Sequence, residues 1–201
     1  MPPRDSNSDV GSGEETIDEM MEHLEPAKAS KQRQAENRDQ AQSKLQRSIV
    51  KRNDPAILAS NFESRLEEIV ENEAVTHRSS KAWRTAKIAV GAHGRLPIYY
   101  RLDGEITHTG YISDIVLEPD EETDRLEKLL EHISDADTYD NYNDELDTTN
   151  YIVTGGKRLE EPFPQSELRK LADGDPIDEN YSRQPAYVRQ RRGDFPDFSS
   201  F

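Results

Sequence analysis

Apolar residues along this chain are spaced for helices in some stretches and for strands in others, and the two alternate. Ile17, Met20, Met21 and Leu24 recur at helical spacing, which predicts a short helix that Pro26 ends. Leu58, Phe62, Leu66, Ile69 and Val70 mark one face of a helix over residues 55 to 73, with Asp54 suited to its N-cap and Pro55 to its first position. The run Leu96 to Arg101 is β-prone, Asp103-Gly104 tolerates the positive φ angles of a two-residue turn, and Ile106 to Leu117 supplies a return strand. Pro119-Asp120 opens another helix, with Leu126, Leu129, Leu130 and Ile133 on one face, acids in its first turn, and an end near Ser134. Tyr151 to Thr154 reads as a strand running into a turn at Gly155-Gly156. Pro164 to Leu171 reads as a short helix capped by Ser166 or entered through Pro164, and Pro185 to Arg189 as a closing strand. This order predicts an α+β fold: a small antiparallel β-barrel or strongly bent sheet flanked by helices, with an extended N-terminal region.

Composition moves part of the chain outside that domain. Of 201 residues only 32% are hydrophobic and 33% are charged, too little apolar material for a core of that length. Charge comes in blocks: residues 1 to 25 carry eight acids and one Arg, and residues 28 to 52 carry eight bases and two acids. The reading is therefore a disordered or loosely helical extension over residues 1–53, acidic and then basic, a globular domain over 54–190, and an aromatic tail over 191–201. The extension is a charged linker or a basic arm for a partner, and the block from Ala27 to Val50, as a helix, would be mostly solvated. The acidic stretch from Asp135 to Thr149 reads as an exposed loop.

The net charge of −15 and the excess of Arg over Lys resemble proteins of salt-accumulating halophiles. At molar salt the Debye length shrinks to about 3 Å, so local patches matter more than the total. Cysteine is absent, which removes disulfides, thiolate metal sites and a thiol nucleophile, and fits a reducing cytoplasm. No apolar run approaches the roughly 20 residues of a membrane span, so no membrane partner is expected.

Trp83, then a strand, then Gly94 to Tyr100, a hairpin, Gly110 to Val116, and later Tyr151 to Val153 with Glu161 to Leu168, resembles in its ordering the PUA-like superfamily, especially its EVE and ASCH branches. Gly94-Arg95-Leu96 stands where that family carries a Gly-Asp pair, and a helix with an acidic loop interrupts the middle. The resemblance implies a small β-barrel with a pocket for a nucleobase, in some members a modified one flipped from a helix. The partner would then be DNA or RNA.

On that reading the chemistry is recognition without catalysis. Trp83, Tyr99, Tyr100 and Tyr111 supply stacking faces, Arg101 a donor fork, Ser113 or Asp114 edge contacts, and Arg84 and Lys87 phosphate contacts. Tyr99 and Tyr100 cannot both line one pocket, because neighbours on a strand point to opposite faces. Arg78, Lys81 and Arg95, with Arg189 to Arg192, add basic flanks. As core residues the same rings would do the commoner job of packing. His77, His93 and His108 lack metal-ligand spacing, no cofactor motif appears, and no nucleophile signature is present. The alternative is a protein-interaction or assembly factor that uses the charged N-terminal region and the C-terminal tail, whose Phe195, Phe198 and Phe201 either insert into a partner groove or fold back on the domain.

Overall fold

The computed structural model describes residues 17–52, 54–117, 123–132, 149–181 and 185–195. The chain divides into two compact units, Met1–Gln42 and Ser43–Phe201. A single helix, α1 (Ile17–Lys51), runs through the first unit as far as it is described and into the second. Pro26 does not end it. Helix formers on both sides outweigh the one backbone hydrogen bond that proline removes. Residues 31–44 are exposed, and only from Leu45 does the helix meet a core, where Ile49 is fully buried. The larger unit thus begins at Ser43, ahead of the boundary at 54.

The second unit is built on strands β1 (Pro55–Ser60), β2 (Ala74–Ser79), β3 (Leu96–Leu102), β4 (Glu105–Leu117), β5 (Thr149–Pro164) and β6 (Ala186–Arg189). They form one mixed sheet in the order β2-β5-β4-β3-β1-β6, open at β2 and β6, so it is not a closed barrel. β1 and β3 are parallel, and every other pair is antiparallel. Helices α2 (Glu63–Glu71), α3 (Arg84–His93) and α4 (Thr123–Leu130) lie between the strands in sequence.

Alternation along the central strands feeds two cores. Ile57, Ala59, Ile98 and Tyr100 enter one, together with Leu66 and Ile69 of α2, Ala86 and Ala89 of α3, and Ile49. Ala56, Leu58, Tyr99 and Val188 enter the other, with Ile106, Phe163, Leu168, Ile177 and Phe195. A strand covered on both faces reads as a continuous apolar run, and for that reason Pro55–Ser60 is a strand and not the first turns of a helix. The helix expected over 55 to 73 is thereby cut to α2. Phe62 and Val70, placed on its buried stripe by spacing, are instead exposed at 69% and 43%.

The hairpin forms where expected, with Asp103 at φ 51° and Gly104 at φ 88°, the pair of positive angles that a tight β-turn needs. Three further expectations are corrected. Trp83 is followed by α3 and not by a strand, with Gly94 in the left-handed conformation closing that helix. β5 continues through Gly155-Gly156, since irregularities in its pairing with β4 absorb the glycines. The helix after Pro164 is one 3-10 turn, Gln165–Glu167, entered through Pro164 with no side-chain cap from Ser166. β6 forms as expected. The start of α4 at Pro119-Asp120, its end at Ile133-Ser134, and the acidic loop up to residue 148 lie outside the described residues.

Gly156 sits where β5 passes α2, and a Cβ there would overlap the Ile69 backbone, with its carbonyl carbon at 2.7 Å. At Gly110 a Cβ would meet Val153 Cγ1 at 2.8 Å, a methyl that can shift. Gly156→Ala is expected to lower the unfolding free energy by about 2–3 kcal/mol and Gly110→Ala by about 1 kcal/mol, read from guanidinium denaturation midpoints. Equal losses would contradict this packing.

Candidate functional site

The rings singled out by sequence do not converge. Trp83 is 2% exposed and stacks on Tyr151 at 4.5 Å, fixed by its backbone N–H donating to Thr149 Oγ1 at 3.1 Å. Tyr100 lies in the same core and Tyr99 in the other. The Tyr99 hydroxyl donates to Asp194 Oδ2 at 2.8 Å and accepts from the Arg191 N–H at 2.8 Å. Burial, reinforced by the Asp194 carboxylate, holds its ionisation well above the ordinary tyrosine range. Tyr111 packs edge-on to Phe195 at 5.5 Å, with the Arg95 guanidinium 4.2 Å from its ring centre. Its hydroxyl is raised in pKa by burial.

The other candidates are spread over the surface. Ser113 and Asp114 are half-buried on β4, where Asp114 accepts from Arg125 and from the Ile115 N–H. Arg84 is exposed and Lys87 half-buried on α3. Within the basic run near the end, Arg191 lies 3.5 Å over the Phe163 ring and pairs with Glu167 and Asp194. Phe195 is buried against Tyr99, so at this ring the tail folds back on its own domain. Phe198 and Phe201 lie outside the described residues.

Arg101 lines a concavity. The pairing of β3 with β4 shifts register between Tyr100 and Arg101, next to the hairpin turn. Its Nε donates to Ser60 Oγ at 3.0 Å, and its Nη1 donates to Gln165 Oε1 at 2.7 Å and to the Tyr181 carbonyl. Gln165 in turn donates to the carbonyls of Asp178 and Glu179, both at 2.7 Å. These bonds tie the hairpin tip to residues 178–181, and the space left between them is an open cleft of about 380 Å³. Ser60, Asn61, Arg101, Asp103, Glu179 and Tyr181 are among its lining residues. Phe62, next in the chain to Asn61, is the most exposed of the large apolar side chains described.

Asn61 is held from behind. Its Oδ1 accepts the Phe62 N–H at 2.9 Å, so its amide nitrogen faces His77 Nδ1, 3.2 Å away. His77 Nδ1 also lies 2.8 Å from the Tyr100 hydroxyl. An Nδ1 that accepts from Asn61 carries no proton, which places the hydrogen of the neutral ring on Nε2 and makes Tyr100 a donor. Burial, with the positive charge of Arg65 second, pushes His77 down to about 3. Sequence reasoning placed Phe62 in the core and passed over Asn61, Gln165 and Tyr181. They are brought to Arg101 by parallel pairing and by the return of the chain after β5, which no local pattern encodes. Among the described residues no group of three or more metal-ligating side chains gathers, and no helix is long and apolar enough to cross a membrane.

No family model matches the chain, and no curated protein matches it. Among solved structures there is a likeness to the N-terminal domain of Staphylothermus marinus McrB, over 56% of this chain and 77% of that one, at 12% identity and a TM-score of 0.33. A TM-score this low does not establish a shared fold.

The buried imidazole makes stability depend on pH. In the unfolded chain His77 takes up a proton below its ordinary 6.5, whereas in the fold it resists to about 3. The unfolded state therefore binds more protons across that window, and stability falls as the pH is lowered through it, by up to about 1.4 kcal/mol per pH unit. His108, pushed down by burial first and Arg158 second, adds in the same direction. Urea denaturation between pH 6.5 and 5 should show a shallower slope for His77→Gln than for the wild type. An unchanged slope would mean that His77 is not buried in its neutral form.

Proposed function

We propose that this chain is a non-catalytic nucleic-acid-binding module that takes an unstacked base at the Arg101 cleft. The observation that carries the reading is a cleft lined by the planar guanidinium of Arg101, with Phe62, exposed at 69%, next in the chain to the lining residue Asn61. A base is held by a π-face and by hydrogen bonds to its edge, and stacking on one aromatic ring contributes about 1–3 kcal/mol. Phe62 supplies the face. Asp103 and Glu179 supply acceptors, which suit the exocyclic amine of adenine or cytosine.

Net charge limits how the rest of the strand is held. A chain at −15 gains little from general attraction to phosphates, so affinity comes from the base more than from counterion release. Arg84 and Lys87 on α3 serve as local phosphate contacts in this reading. Trp83, Tyr99, Tyr100 and Tyr111 act as the packing that fixes the strands, and Ser113 remains a candidate edge contact on β4. The PUA-like resemblance of the sequence leads to the same class of ligand, DNA or RNA, with a modified base as one form of it.

Phe62→Ala is the clean test, because the side chain is exposed and its loss leaves both cores intact. Anisotropy titrations with single-stranded DNA and RNA, with and without modified bases, at low and molar salt, should show binding that Phe62→Ala weakens roughly five- to 150-fold. Phe62→Trp should retain it. Arg101→Lys should weaken binding as well, but it also loosens the clamp on Gln165, so Phe62 decides. Absence of binding to every oligonucleotide, or binding unaffected at Phe62, would overturn the reading.

A further inference from the structure

We infer that Asn61 selects the base held at the Arg101 cleft, a step that rests on the base site proposed above. It takes an amino group beside an unprotonated ring nitrogen, the edge that adenine and cytosine share. Asn61 is half-buried and lines the cleft between the end of β1 and the start of α2. A primary amide has two N–H donors and two lone pairs on its oxygen. Asn61 spends one lone pair on the Phe62 N–H at 2.9 Å and one N–H on His77 Nδ1 at 3.2 Å. One donor and one acceptor remain, side by side on a planar group.

The amide is selective because it is held against turning over. Half a turn would set its NH2 against the Phe62 N–H, donor against donor, and its oxygen against Nδ1, which also faces the Tyr100 hydroxyl at 2.8 Å. His77 is 1% exposed, and its ring sits edge-on to Tyr100 at 5.6 Å and to Tyr151 at 5.7 Å. It is a positioning residue that acts through Nδ1. Asn180, the other amide of the lining, is exposed, and its side chain makes no hydrogen bond among the described residues, so nothing decides which of its ends faces a ligand.

A fixed amide reads a base edge in one order. Its oxygen accepts from the exocyclic amine and its N–H donates to the neighbouring ring nitrogen. Adenine and cytosine offer that amine and nitrogen on their Watson–Crick edges. Hypoxanthine and uracil carry a carbonyl and a ring N–H there, which would set oxygen against oxygen and N–H against N–H. Asp103 and Glu179 only accept and Arg101 only donates, so none of the three supplies both halves of the pattern.

Titrating short single-stranded oligonucleotides of adenine against hypoxanthine, and of cytosine against uracil, tests this, with circular dichroism confirming that each variant folds. The wild type should prefer the amino base of each pair roughly five- to 150-fold. Asn61→Asp keeps the acceptor for Phe62 and loses the donor, so the preference should vanish or reverse. Asn61→Ala, which adds no charge, should bring the ratio to about one. Nitrogen-15 NMR of His77 should show the hydrogen on Nε2 in the wild type and on Nδ1 in Asn61→Asp. A wild type indifferent to the exchange, a preference that survives both variants, or an Nδ1–H in the wild type would overturn this role of Asn61, while binding that Phe62→Ala still weakens would leave the base site standing. Absence of binding to every oligonucleotide would overturn both.

Discussion

Burial of β1 and β3 on both faces is the constraint from which the rest of this domain follows. A strand with two covered faces sends odd and even residues into different cores, so the parity of a residue decides its surroundings. Ile57 and Tyr100 meet the helices, while Leu58 and Tyr99 meet the chain that returns after β5. The adjacent tyrosines therefore cannot share a ligand. Each instead anchors a polar network, Tyr100 with His77 and Asn61, and Tyr99 with Asp194 and Arg191.

Those networks keep buried hydroxyls paired where an orphan would cost about 1–3 kcal/mol each. They also connect core to surface. His77 reaches Asn61 at the cleft, so the geometry of an exposed edge is set by a fully buried ring pair. Arg101 works from the other side, spending its donors on Ser60, Gln165 and the Tyr181 carbonyl and so holding the cleft open between the hairpin and residues 178–181.

The cleft joins one cation with the carboxylates of Asp103 and Glu179, and the exposed Phe62 follows its lining residue Asn61 in the chain.

The hairpin was legible in sequence because a two-residue turn is local chemistry: Asp103-Gly104 is one of the few pairs that accept two positive φ angles, and alternating apolar residues flank it. The closing strand at Ala186–Arg189 and the solvated basic helix were legible for similar reasons. Residues 55 to 73 misled, since Leu58, Leu66 and Ile69 fit a helical stripe and are all buried, yet Leu58 is buried from a strand. Helical and strand spacings coincide over short apolar runs, and only parallel pairing with β3 separates them. The sequence by itself determined the turn, the charge blocks and the alternation that parts Tyr99 from Tyr100. Tertiary structure alone decided that Phe62 faces solvent and that Arg101 meets Gln165 and Tyr181, because contacts between residues 41 to 80 positions apart depend on strand order, which no local pattern records.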